Sequence, residues 1–175
     1  MSHYLVMTVI GPDRPGLVDS LASIILKQEG NWLESRMCHL GGQFAGILRI
    51  QVAPEHEQAL IEQLQSLSAQ GLAVVAYPEN NNPPAPDDQL VTIELVGQDR
   101  PGIVSQISAI LAQYSVNVED LKTECSSAPM SGETLFQATA ILRLPRGCDL
   151  KALRSDLEKI TSNLMVDMIF GKPLP

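Results

Sequence analysis

The chain has 175 residues, 45% of them hydrophobic, 18% charged and 4% aromatic, enough apolar side chain for a folded core built from aliphatic and methionine residues. A formal charge of −8, with no run of Lys or Arg, argues against direct contact with DNA or RNA, whose affinity rests on clustered cations. Three widely spaced cysteines, Cys38, Cys125 and Cys148, form neither a disulfide framework nor a zinc-binding pair, and read as reduced, buried thiols of a cytoplasmic protein.

The N-terminal segment MSHYLVMTVIGPDRPG has no basic lead, and its apolar run is too short for a signal core or a membrane span. It predicts a strand over 4–10. GPDRPGLV at 11–18 follows as a sharp turn, after which Leu17, Leu21 and Ile24 fall at helical spacing. Two β-like segments, about 31–40 and 43–53, are joined by Leu40-Gly41-Gly42-Gln43, a two-glycine hairpin signal. A second helix is marked by Leu60, Leu64 and Leu67 before Gly71, and a strand over 72–77 closes the set.

PENNNPPAPDDQ at 78–89 is rich in Pro and Asn and reads as a semi-rigid linker. Beyond it the order starts again. QLVTIELV at 89–96 alternates, with Val91, Ile93 and Leu95 on one face and Thr92 and Glu94 on the other. GQDRPGIV at 97–104 repeats the turn at an offset of 86 residues, and the same offset aligns Asn31 with Asn117. Ile103, Ile107, Ile110 and Tyr114 mark a helix, about 117–125 and 133–144 two strands, Leu150, Leu153, Leu157 and Ile160 a helix, and 164–170 a last strand. The connection at 126–132, SSAPMSG, is longer than its counterpart.

The chain is therefore written twice, each time as β-α-β-β-α-β. This predicts an α+β fold of two ferredoxin-like domains, each a four-stranded antiparallel sheet with two helices on one face, over 1–78 and 89–172 with a linker at 79–88. Exposed strand edges point to pairing, either between the halves or between two chains as a homodimer.

Pro15 and Pro101 fit the first helical position, where a missing N–H goes unnoticed, and Arg14 and Arg100 are pushed out of helical geometry before them. Gly16 and Gly102 then sit in the first turn, which calls for a close approach to the backbone. Open N–H groups at the positive end of a helix suit a carboxylate or phosphate. Leu17-Val18 and Ile103-Val104 stand where a phosphate-binding P-loop needs Lys and Ser/Thr, so nucleotide binding is not supported. A small carboxylate such as an amino acid fits better, with Asn31 and Asn117 as polar partners. The alternative is that Gly, Pro and Asp simply build the turn and carry no ligand.

His3, His39 and His56 lack metal-binding spacing, and no nucleophile stands beside a base, so neither a catalytic residue, a metal site nor a cofactor is expected. Trp32 is assigned to the core or to a domain interface.

Two D-R-P-G turns in register between strand and helix, each followed by Asn31 or Asn117 at the second strand, resemble ACT domains, small βαββαβ modules that bind amino acids and regulate another activity. In that family the ligand lies at an interface between modules, near the first strand-to-helix turn and the second strand. The resemblance thus implicates Asp13, Arg14, Gly16, Leu17 and Asn31, and Asp99, Arg100, Gly102, Ile103 and Asn117. A tandem pair with no further domain is similar to the glycine cleavage system transcriptional repressors. These imply an accessory repressor that contacts a DNA-binding transcription factor rather than DNA, with glycine relieving repression. The alternative is an amino-acid-binding regulatory subunit of a metabolic enzyme. The same module also heads formyltetrahydrofolate deformylases, but in those a large catalytic domain follows it. Gln98 replaces Pro12 in the second copy, so the copies need not bind alike.

Overall fold

The computed structural model describes residues 2–79, 88–127 and 133–171. The chain divides into two compact units, Met1–Asn82 and Pro83–Pro175. Most of the predicted linker and most of the 126–132 connection lie outside the described residues.

The first unit runs β1 (His3–Pro12), α1 (Leu17–Lys27), β2 (Asn31–Leu40), β3 (Gln43–Val52), α2 (Pro54–Ser66), a 3₁₀ turn (Leu67–Gln70) and β4 (Ala73–Pro78). The second runs β5 (Gln89–Gln98), α3 (Ile103–Gln113), β6 (Asn117–Ser127), β7 (Thr134–Leu144), α4 (Leu150–Leu164) and β8 (Val166–Gly171). Each unit holds one four-stranded antiparallel sheet, in the order β2-β3-β1-β4 and β6-β7-β5-β8, with two helices on one face, the α+β sandwich that the repeat predicted.

Alternation fixes which face is buried. Leu5, Met7 and Val9 of β1 and Val91, Ile93 and Leu95 of β5 point to the helices and are almost fully buried. Leu17, Leu21 and Ile25 of α1 and Ile103, Ile107 and Leu111 of α3 meet them. The periodicity is i, i+4, i+8, so Ile25 and Leu111 are buried in line with the first two, while Ile24, Ile110 and Tyr114 pack at the margin. Each core is its own: Leu60, Leu64 and Leu72 close the first, and Leu153, Leu157 and Leu164 the second.

Gly41 and Gly42, both at positive φ, make the two-residue β2–β3 hairpin as predicted. In β2 the register shifts between Trp32 and Glu34, and in β6 it shifts at the equivalent place, between Val118 and Asp120. The extra residue, Leu33 or Glu119, lets Trp32 and Val118 face the core while Glu34 and Asp120 face away.

Two expectations are corrected. Helices α1 and α3 begin at Leu17 and Ile103, so Pro15 and Pro101 precede the helix instead of opening it; the proline that does open a helix is Pro54 of α2. The cysteines are not buried, since Cys38 and Cys125 are exposed and Cys148 half-buried. Cys38 points away from the helices opposite Ala45, and Cys125 sits on an edge strand.

Candidate functional site

Each D-R-P-G turn joins the end of a central strand to a helix. Gly16 caps α1 with φ 89 and ψ 2, and Gly102 caps α3 with φ 98 and ψ −5. That left-handed geometry, not a close neighbour, explains the glycines: a Cβ on Gly16 meets nothing within 4 Å, and one on Gly102 meets only the flexible end of Gln106. The close approach falls instead on the glycine opening each motif. A Cβ on Gly97 would lie 2.8 Å from the Met165 carbonyl oxygen and the Val166 Cα, and one on Gly11 would strike the Gly71 carbonyl.

A glycine cap offers no side chain, so no side-chain oxygen accepts from the first N–H groups of α1 or α3. Helix α4 contrasts with both, since Asp149 accepts from the N–H groups of Lys151 and Ala152 at 3.0 Å. The open turns are fixed from behind. The Asp13 N–H donates to Gly42 at the hairpin tip (2.9 Å), and the Asp99 N–H donates to Thr134 (2.8 Å). The Arg14 guanidinium donates to the carbonyl and the side-chain oxygen of Gln70, both at 3.3 Å. Arg100 is half-buried beside its own turn.

The asparagines lie elsewhere. Asn31 pairs across β3 at Gln51, which pairs with Tyr4 at the start of β1, whereas the turn begins beyond Gly11. Seven residues at about 3.3 Å each put roughly 23 Å between Asn31 and the turn of its own unit. Asn117, opposite Arg143, has the same relation to Asp99. The structure therefore gathers Asp13, Arg14, Gly16 and Leu17, and likewise Asp99, Arg100, Gly102 and Ile103, but places neither asparagine with them.

The two asparagines also differ from each other. Asn117 donates to Glu119 at 2.6 Å, and Arg143 grips the same carboxylate through two bonds of 2.9 and 3.1 Å, which raises the Arg143 pKa above its ordinary value. Leu33 holds the place of Glu119 in the first unit, and Asn31 has no such partner there.

Sequence reasoning missed the strand residues facing each turn aspartate. His39 Nε2 lies 3.8 Å from an Asp13 carboxylate oxygen. The 86-residue offset puts Cys125 in that position in the second unit, where partial desolvation and its hydrogen bond and charge contact with Asp99 push the thiol pKa up. The Cys148 thiol is pushed up too, by burial and then by Asp149. Both shifts disfavour the thiolate that nucleophilic or metal chemistry needs. The offset that exposed the repeat could have matched His39 to Cys125, but not shown that either faces an aspartate. Among the described residues no three His, Cys, Asp or Glu side chains converge to hold a metal ion, and no helix is long and apolar enough to cross a membrane.

The profile of the ACT domain matches residues 3–76 and again 89–170. The chain belongs to the ACT-domain family. It is 25% identical over 144 residues to the glycine cleavage system transcriptional repressor of Escherichia coli, covering 79% of this chain and 74% of that one. Among solved structures, a protein of unknown role from Galdieria sulphuraria is 25% identical and superposes with a TM-score of 0.90, covering 99% of this chain and 100% of the other. A putative glycine cleavage system transcriptional repressor shares the tandem fold, with a TM-score of 0.68, 20% identity and 99% of both chains covered.

Proposed function

We propose that this tandem ACT protein is a non-enzymatic, amino-acid-responsive regulator, an accessory repressor of glycine cleavage genes that acts on a DNA-binding transcription factor and is relieved by glycine. The observation that carries the reading is the match of both halves to the ACT domain, together with similarity to the Escherichia coli repressor along most of the chain. The charge of −8 agrees with contact through a partner protein and not with DNA itself. Glycine reaches the protein at the D-R-P-G turns, its carboxylate against the uncapped N–H groups that precede Ser20 and Gln106.

A ligand held by a turn and an asparagine together needs two modules, because one module keeps them at opposite ends of its sheet. Two modules brought together by a second copy of the chain are one such arrangement, and a homodimer is the one we propose.

Calorimetric titration with glycine, serine and alanine tests the ligand, repeated on Arg14→Ala, Asn31→Ala and Asn117→Ala. Glycine binding weakened in at least one variant is the expected result, and no heat with any of the three amino acids removes the sensor reading. Affinity capture then tests the partner. A DNA-binding protein released by glycine supports the repressor, whereas a metabolic enzyme in its place overturns it.

A further inference from the structure

The two modules differ where helix meets edge strand. In the second module a cavity of about 50 Å³ opens between α3 and β6, lined by apolar side chains from β5, α3, β6 and β7 with Ser108 as the one polar residue. Its mouth is apolar as well: Val104 is 46% exposed, Val118 39% and Leu121 51%. Exposed aliphatic residues around an unfilled core are unusual, because an ordinary interior is packed to crystal density.

The first module shows what closes the space. At the equivalent positions it carries Trp32 for Val118, Met37 for Thr123 and Leu48 for Ala140. Trp32 and Met37 pack against the first core, and Leu48 is buried within it. Met37 lies so closely over Gly46 that a Cβ there would come within 2.6 Å of its Cγ. Four lining replacements run the other way, Leu95 for Val9, Ser108 for Ala22, Leu121 for Ser35 and Ala138 for Gly46, but Leu121 stands at the mouth and each of the other three adds one heavy atom.

We infer that the second module takes an amino acid with an aliphatic side chain of three or four carbons, which enters this cavity, while the first module has no room for a side chain. A water-sized sphere occupies about 10–15 Å³, so the cavity of about 50 Å³ accepts about three to five heavy atoms and no aromatic ring. One end of the mouth, at Val104, adjoins the second turn, since Ile103 and Val104 line the cavity and directly follow Gly102, while Val118 marks the far end. The polar end of the ligand stays outside, near Asp99, Arg100 and Ser108. The inference rests on the amino-acid-sensing reading and adds a division of labour, with a glycine-sized site in one module and a side-chain pocket in the other.

The test is titration of the full chain with leucine, valine and glycine, set beside the variant Ala140→Leu/Val118→Trp, which installs the first module's residues. Leucine or valine should bind about tenfold or more tightly than glycine, the selectivity a few methylenes supply in an apolar pocket. The filled variant should lose that preference and keep its response to glycine. Should that variant not fold, Ser108→Leu narrows the mouth from the exposed side of α3 and should do the same. Equal affinity for leucine and glycine, or leucine binding untouched by filling, overturns the pocket but leaves the regulator standing. Absence of binding by every amino acid overturns both.

Discussion

Replacing Gly16 with alanine separates two accounts of the repeated turn, because they differ in sign. Were the glycine inside the first helical turn, alanine would stabilise the protein by about 0.5–1 kcal/mol, the helical handicap of glycine. The structure places it outside the helix at φ 89, where an L side chain costs about 1–2 kcal/mol. Steric conflict adds nothing, since a Cβ there meets no atom within 4 Å. Narrowing the unfolded ensemble returns about 0.4–1 kcal/mol, which leaves a net destabilisation of about 1 kcal/mol. For a module of this size that is a fall of about 4–8 °C in the midpoint of its thermal transition. Gly102→Ala should behave alike at φ 98. Calorimetry of the full chain reads both, with Gly16→Asn as a control that should recover part of the loss, because asparagine tolerates left-handed geometry. A raised midpoint for Gly16→Ala would refute the argument.

Gly97→Ala should cost more, about 1–3 kcal/mol in urea denaturation, since its methyl would sit 2.8 Å from the backbone of Met165 and Val166. Removing the α4 cap with Asp149→Ala frees two N–H groups and should lower stability by about 0.5–2 kcal/mol, read in the same denaturation curves. Asp156 receives hydrogen bonds from Lys159 at 2.8 Å and Tyr114 at 2.7 Å, which hold its pKa below the ordinary carboxylate value of about 3.9. A depressed folded pKa stabilises above the unfolded value and is lost as pH falls through the folded one. Wild type should therefore exceed Asp156→Asn in thermal midpoint near neutral pH, and the gap should close on acidification below that value; a gap independent of pH would contradict the assignment.

Much of the fold was legible because the code for it is local. The two-glycine hairpin needs positive φ at both positions, and the alternation in QLVTIELV has one burial solution. The start of α1 was not, since a proline at φ near −65° serves a turn as well as a first helical residue. The bulges at Leu33 and Glu119 left no trace either, because β2 and β6 are edge strands with little contrast in burial for a pattern to register. Exposure of Cys38 and Cys125 follows from the same edge positions. For the site, the turn residues were readable as a motif, but the separation of Asn31 from Asp13 is topological. A strand reached by crossing over α1 runs in the direction of β1, so its first residue lies beside the first residues of β1 and not its last. The cavity of the second module depends on Val118 and Ala140 acting together, a volume deficit that no single residue announces.

A regulator needs only a modest difference between its states. A tenfold shift in partner affinity is about 1.4 kcal/mol of coupling, and one hydrogen bond to a charged group is worth about 1.5–3 kcal/mol. Arg14 is suited to provide it, being held by two long bonds of 3.3 Å to Gln70 that a carboxylate can replace. On the proposed reading, glycine at that turn would compete with Gln70 for the guanidinium. Gln70→Ala deletes the side-chain acceptor and leaves the carbonyl, so it relieves one bond of about 0.5–1.5 kcal/mol and should tighten glycine by about two- to tenfold. Unchanged glycine affinity in Gln70→Ala, together with weaker binding in Arg14→Ala, would mean that the guanidinium meets the ligand without leaving Gln70. Unchanged affinity in both would move the ligand contact from the side chain to the backbone N–H groups of α1.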